Sequence, residues 1–305
     1  MNAPAVAVSG LSHRYGRIPA LGSLDLTVPA GAVIAFVGPD GVGKSTLLGL
    51  LAGVKRIQEG TVRVRGADMR RSAERARVGR DIAYMPQGLG QNLYADLSVR
   101  ENVTFFARLF GLPQESAATR LATLLAVTGL GPFAGRRVRH LSGGMKQKLG
   151  LCCALIHQPK LVVLDEPTTG VDPLSRRQFW DLVERMHAES PEMTILVATA
   201  YMDEAARLPR IIMMDDGRVL ADDSAAALLE RTGTSSLEDA YAALLPEAKR
   251  AGHAPFAIVP RTHGMGDVAI AATNLTRRFG SFTAVDRAGN ESLPSQPAKI
   301  VIPGN

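Results

Sequence analysis

The segment Gly38-Pro39-Asp40-Gly41-Val42-Gly43-Lys44-Ser45 fits the spacing G-x-x-x-x-G-K-[ST], with Thr46 next in line. Glycines at this density let successive backbone N–H groups turn inward around phosphate oxygens. The apolar run at 33–37 reads as a buried strand, and residues 44–53 as a helix with Leu47, Leu48 and Leu51 on its apolar side. A helix N-terminus aimed at the loop adds favourable potential for an anion. In that strand–loop–helix setting Lys44 is expected to reach the β- and γ-phosphates of a nucleoside triphosphate, and Ser45 to ligate Mg2+.

Two further groups carry chemistry. Four apolar residues at 161–164 end in Asp165-Glu166, which puts two carboxylates at the carboxyl edge of a parallel sheet, where ligands bind. Asp165 suits a place behind Mg2+ and Glu166 suits a general base that polarises an attacking water. Alone, such a pair is also how many strands simply end in solvent; the phosphate loop upstream favours the chemical reading. The third group is Leu141-Ser142-Gly143-Gly144-Met145-Lys146-Gln147. Ser142 can cap a helix, and Gly143 and Gly144 expose backbone N–H groups at its start, which makes either a plain cap or a second phosphate-binding end.

These groups need a scaffold, and the chain supplies the pattern of one. Residues 6–11, 21–28, 61–64 and 82–85 read as strands, the first two joined by a glycine-containing loop. Residues 101–110 place Val103, Phe106, Ala107 and Phe110 at i, i+3, i+4 and i+7, and Leu121, Leu124, Leu125 and Thr128 repeat the pattern. Both are amphipathic helices, so 95–157 reads as a helical insertion. Strands at 161–164, 194–198 and 211–214 then alternate with a helix opened by Asp172 as N-cap and Pro173 at its first position. Strand–helix alternation predicts an α/β fold with a mostly parallel sheet.

Composition limits the alternatives. The chain has 305 residues, 46% hydrophobic and 21% charged, which is ordinary globular material. No run approaches the ~20 apolar residues that span a bilayer. The N-terminus lacks a basic-then-apolar leader, so a cytoplasmic protein is expected. Cys152 and Cys153 are adjacent in an apolar helical run and read as buried reduced thiols. The net charge of +6 comes with scattered arginines (63, 65, 70, 71, 75, 77, 80) rather than arginines interleaved with aromatics, and reads as a solvated basic face.

The order Gly38 to Ser45, Gln87, Leu-Ser-Gly-Gly at 141–144, Asp165-Glu166 and Asp172 resembles an ATP-binding cassette (ABC) nucleotide-binding domain over residues 4–232. The resemblance implies a P-loop NTPase fold of ABC type: a mostly parallel core sheet, an antiparallel β subdomain and a helical subdomain. It implies ATP and Mg2+ as ligands, with Tyr15 stacking on adenine. Gln87 would touch Mg2+ and the attacking water and sense a transmembrane partner. Ser142, Gly143 and Gly144 would bind the γ-phosphate of ATP held by a second ATPase half, and Asp172 would help join the two sites. A finer resemblance, carried by residues 38–45, 85–94, 141–157 and 165–175, is to the first ATPase half of the ribosome-associated ATPase family, which joins two such halves to an exporter-type membrane domain.

One departure from the family pattern concerns a histidine expected after the strand that follows the carboxylates. Ala200 stands there, within Val197-Ala198-Thr199-Ala200-Tyr201. Alanine donates no hydrogen bond, and loss of one such donor costs ~10²–10³ in rate. Slow hydrolysis with intact ATP binding is therefore expected. Leu275-Thr276-Arg277-Arg278-Phe279-Gly280 resembles Leu11-Ser12-His13-Arg14-Tyr15-Gly16. This reads as an aborted second domain over 268–287, after a helix (237–245) and linker in 233–267 and before an irregular tail at 288–305. The leading function is the ATPase component of an ABC exporter, held at the inner face of the cell membrane by a permease partner. The alternatives are a soluble ribosome-associated ATPase, and a low-turnover nucleotide-binding module or truncated gene remnant.

Overall fold

The computed structural model describes residues 3–88 and 90–250, together with the backbone of two strands near the C-terminus. Packing divides the chain into two units, Met1–His253 and Ala254–Asn305. The first unit opens with β1 (Val6–Tyr15), β2 (Ile18–Val28) and β3 (Val33–Val37), then α1 (Lys44–Leu51), β4 (Glu59–Val64), β5 (Ala67–Asp68), α2 (Ser72–Gly79) and β6 (Ile82–Met85). Three helices follow, α3 (Val99–Leu109), α4 (Gln114–Thr128) and α5 (Gly143–Leu155). Strand–helix alternation resumes with β7 (Leu161–Asp165), α6 (Pro173–Glu189), β8 (Thr194–Thr199), α7 (Met202–Ala205), β9 (Arg210–Asp215) and β10 (Arg218–Asp223). Three helices, α8 (Ala225–Thr232), α9 (Leu237–Leu244) and α10 (Glu247–Arg250), close the unit.

The core sheet runs β10-β9-β3-β8-β7-β6, parallel except for β10. Its central strands are apolar at nearly every position because both faces are covered. Ala35, Val37, Val162, Leu164, Ile195 and Val197 turn to the helical side. Ile34, Phe36, Leu161, Val163, Leu196 and Ala198 turn to the opposite core, which they share with α1 and the antiparallel sheet β2-β1-β4-β5. The period of two in these lists is the pleat of the strand. α1 contacts β7 and β8 of one sheet and β2 and β4 of the other. Leu50 is therefore as buried as Leu47, Leu48 and Leu51, and the one-sided helix expected from the sequence is buried nearly all round. Burial of each such leucine stabilises the fold by about 1.5–3 kcal/mol.

The first helix of the insertion begins two residues before the expected 101. Ser98 accepts from the Glu101 N–H and the Glu101 carboxylate accepts from the Ser98 N–H, a reciprocal cap that starts α3 at Val99. Buried Asn102 bonds to both the N–H and the C=O of Tyr94 and so fixes the loop ahead of the helix. α5 packs against α3, α4 and α6 and joins the insertion to the core sheet. Cys152 and Cys153 are free and buried on α5, and burial pushes both thiols up, Cys152 to about 12.

The body does not end at 232. Leu237 and Ala240 of α9 are buried in the same core as α8; α9 is the helix expected at 237–245, and the short α10 follows it. In the second unit, β11 (Val268–Ala272) pairs antiparallel with β12 (Ile300–Pro303), so part of the tail read as irregular is a strand. The remainder of the expected second-domain segment lies outside the described residues. Among the described residues no helix is long and apolar enough to cross a membrane.

Candidate functional site

The loop between β3 and α1 is shaped by two glycines that nothing else could replace. Gly38 has φ 148° and Gly43 has φ 103°, both in the left-handed half of backbone space. A side chain at Gly38 would run into the Met214 carbonyl, and one at Gly43 into the Ala20 carbonyl. The loop is also braced from outside. The Gly217 N–H, in the β9–β10 turn, donates to the Val42 carbonyl at 3.0 Å, and the Gly22 N–H donates to Gly217 at 3.0 Å.

Lys44 is buried at the head of α1. Its Nζ donates to the carbonyls of Gly38 at 2.7 Å and Pro39 at 3.1 Å and lies 3.6 Å from Glu166 Oε1. Ser45 Oγ donates to Asp165 Oδ1 at 2.8 Å, which ties the phosphate loop to the end of β7. Tyr84, from the neighbouring β6, donates its phenol to Asp165 Oδ2 at 3.3 Å. Burial raises the Asp165 carboxyl above its usual value, against the pull of Ser45, Tyr84 and Lys44. Burial, with Asp165 beside it, also raises the Tyr84 phenol, so it stays a neutral donor.

Glu166 sits directly after β7 with φ 50°, an uncommon conformation for a residue with a side chain. Thr169 Oγ1 donates to its Oε2 at 2.8 Å, while its Oε1 is buried with no hydrogen-bond partner. Lys44 Nζ, at 3.6 Å, stands near that oxygen, and a carboxylate so placed is where a reacting proton can be received.

Tyr15, at the end of β1, is half exposed. Its hydroxyl is 3.2 Å from Thr46 Oγ1, so the aromatic ring stands beside the phosphate loop. His13 meets that ring edge-on at 4.9 Å, and Lys55 Nζ lies 5.3 Å from its centroid. Pro39, Asp40 and Gly41 form the outer curve of the loop, and Val42 is buried against the core.

The structure thus brings together Tyr15, residues 38–46, Asp165 and Glu166. No hydrogen bond among the described residues ties two other predicted groups to them. Gln87 follows β6 in an exposed bend and makes no side-chain hydrogen bond among the described residues. Ser142 caps α5, accepting from the Met145 N–H at 3.3 Å, and no bond joins residues 142–144 to the phosphate loop within this chain. Asp172 caps α6 by accepting from the Ser175 N–H at 2.9 Å, and Ala200 is exposed immediately after β8. The sequence reading missed Tyr84, Thr169 and the Gly217 turn. Thr169 could have been found from its place three residues after Glu166; Tyr84 and Gly217 come from sheet neighbours, which no local spacing reveals.

Comparison with known proteins agrees with this geometry. Residues 21–169 match the family described as ABC transporter. The chain is 42% identical over 232 residues to the probable multidrug ABC transporter ATP-binding protein YbhF of Escherichia coli, covering 75% of this chain and 39% of that one. It is 35% identical over 293 residues to the daunorubicin resistance ATP-binding protein DrrA3 of Streptomyces coeruleorubidus, covering 94% of this chain and 89% of that one. Among solved structures, a dimeric ATP-binding cassette in a post-hydrolysis state with ADP and Pi superposes with a TM-score of 0.65 at 26% identity, covering 72% of this chain and 98% of that one. The chain spans well under half of YbhF but most of DrrA3, and on the strength of that second match it belongs to the ATP-binding proteins of ABC transporters.

Proposed function

We propose that the chain binds Mg-ATP through residues 38–46, hydrolyses it slowly, and acts as one half of an ATPase dimer that drives an exporter-type membrane partner at the inner face of the cell membrane. The observation that carries this is the convergence of Lys44, Ser45, Asp165 and Glu166 at the ends of β3 and β7. Lys44 and the loop amides hold the phosphates. The orphaned Glu166 oxygen and the Ser45–Asp165 pair fit a divalent cation carried in with the triphosphate: Ser45 and Gln87 would hold it, with Asp165 behind. Such a cation neutralises charge on the phosphate oxygens. Glu166 receives the proton of the attacking water, and Tyr15 offers its ring to the base.

The second half of the dimer supplies what this chain does not bring to its own loop. Ser142, Gly143 and Gly144 of a second subunit would meet the γ-phosphate at the start of α5, and the solved relative with ADP and Pi is a dimer. The membrane partner is supported by relatives named for multidrug transport and drug resistance. It is also supported by Tyr94, Phe105 and Leu109, exposed apolar side chains on and just before α3, in the stretch of chain that follows Gln87. Within the family, residues 38–45, 85–94, 141–157 and 165–175 resemble the first half of the ribosome-associated ATPases. On that resemblance a second ATPase half and a membrane domain complete the machine, and contact with a ribosome rests on the resemblance and the net charge alone. Ala200 makes turnover slow.

Glu166→Gln separates these roles. It should keep Mg-ATP binding while turnover falls by about 10²–10³-fold, as for loss of a general base. Undiminished turnover would remove Glu166 from the chemistry, and failure of the wild-type chain to bind Mg-ATP would remove the whole reading.

A further inference from the structure

Glu204 is a buried carboxylate that the chemistry above does not use. It lies in the short helix α7 and is only 3% exposed. Its two oxygens are spent on different parts of the molecule. Thr168 Oγ1 donates to Oε1 at 2.5 Å, and Thr199 Oγ1 donates to Oε2 at 2.9 Å. Arg176, in the first turn of α6, lies 3.9 Å from Oε1 and places its guanidinium 4.2 Å from the centroid of the Tyr201 ring. Both threonines are 1% exposed.

The positions of those partners matter more than their number. Thr168 is two residues after Glu166, and its neighbour Thr169 is the donor that holds the Glu166 carboxylate. Thr199 is the last residue of β8, immediately before Ala200, and its hydroxyl also accepts from the Tyr201 N–H at 3.1 Å. Arg176 follows Asp172 by one helical turn, and its N–H bonds to the Asp172 carbonyl at 2.9 Å. One carboxylate therefore bridges the loop after the general base, the helix after Asp172 and the strand end before Ala200.

We infer that Glu204 is a positioning residue for hydrolysis, clamping the Glu166 loop, the start of α6 and the end of β8 into one arrangement. The inference rests on the hydrolytic reading above. Glu204 does not reach the phosphate loop, so it governs the reacting step and not nucleotide capture. A carboxylate is suited to this because each oxygen accepts a hydroxyl while the charge faces a guanidinium. A shift of about 1 Å in a catalytic group costs up to about 10²-fold in rate, which sets the scale expected if the clamp opens.

The test compares Glu204→Gln, Thr168→Val and Thr168→Ser with the wild-type full chain. Mg-ATP affinity, kcat and KM are measured, together with backbone amide exchange at 166–171, 199–205 and 38–46. Glu204→Gln and Thr168→Val should each lower kcat by about 10–100-fold with ATP affinity within about twofold of wild type. Thr168→Ser, which keeps the hydroxyl, should recover most of what Thr168→Val loses. Exchange should rise together at 166–171 and 199–205 and stay unchanged at 38–46. Equal losses of affinity and kcat, or wild-type kcat in Thr168→Val, would overturn the inference. If the wild-type chain binds ATP without turning it over, the hydrolytic reading fails on its own. The exchange pattern then decides whether the clamp exists, and unchanged exchange in Glu204→Gln overturns it.

Discussion

The phosphate loop and the Ser142 turn are both glycine-bearing starts of helices, and their surroundings differ sharply. The first is gripped from its inner side: the Gly217 N–H holds Val42, the Met214 and Ala20 carbonyls crowd Gly38 and Gly43, and Ser45 is bonded to Asp165. The second is tied only to its own helix start, the Met145 N–H donating to the Ser142 hydroxyl and the Lys146 N–H to its carbonyl; Gly144 is buried against Ser175 and Ser142 is exposed. A loop that must seize a triphosphate alone is prepared in advance, because ordering it on binding would cost affinity. A turn that acts on a neighbour's ligand needs only a stable helix start and free N–H groups. On the proposed function, the first is a complete binding element and the second is half of one.

The largest effect that would break this contrast is on the gripped side. Lys44→Ala should lower ATP affinity by more than about 10²-fold, since it removes a buried charge from the phosphates; retained affinity in a binding titration would show that the loop does not do the work assigned to it. Next comes the strand end across from the loop. Ala200 is exposed, so a larger side chain has room, and Ala200→His should raise kcat of the assembled dimer by about 10-fold or more, by adding a hydrogen-bond donor. Unchanged kinetics would mean that another group already fills that role.

On the outward side the effects are smaller and separable. Ser142→Ala loses a helix cap, worth about 1 kcal/mol of stability. ATP binding to the single chain should survive, while ATP-driven association and turnover fall; a matching fall in single-chain affinity would place Ser142 in its own chain's site. An effect on stability alone, with no change in ATP binding, lies at the far end of the same helix. His157 follows α5, stacks on Phe110 at 3.6 Å, and burial lowers its pKa to about 4. In the unfolded chain the ring titrates near 6.5, so between pH 6.5 and 4 the unfolded state binds the extra proton and stability falls as the pH drops. A loss of about 1–2 kcal/mol over that window is expected for a partly exposed ring, and His157→Phe, which keeps the stack, should flatten it in denaturant titrations.

What could be read from the sequence follows the range of the interactions concerned. The strand at 33–37, the carboxylates after 161–164 and the Asp172 cap depend on neighbours in the chain, and each is where the spacing puts it. β10 escaped because Arg218–Asp223 is an edge strand with a single buried side chain, so it lacks apolar alternation. β1 and β2 run longer than their apolar cores because His13 to Tyr15 pair with β2 across a tight turn at Gly16-Arg17, where only His13 and Leu21 are buried. Phosphate-loop residues were legible as a string. Tyr84 and Glu204 reach the site from sheet partners and from a helix distant in the chain, and only the folded topology places them there.

The Met214 carbonyl, which lies against Gly38, also accepts the Tyr241 hydroxyl at 3.0 Å, and Lys249 pairs with Asp215 and Asp216 at the end of the same strand. The buttress behind the phosphate loop thus includes residues that lie far downstream of it in the chain. During synthesis the loop emerges early but is fully backed only once α9 and α10 have docked. An expression boundary drawn at 232 would yield a domain with every sequence motif intact and its loop less firmly seated.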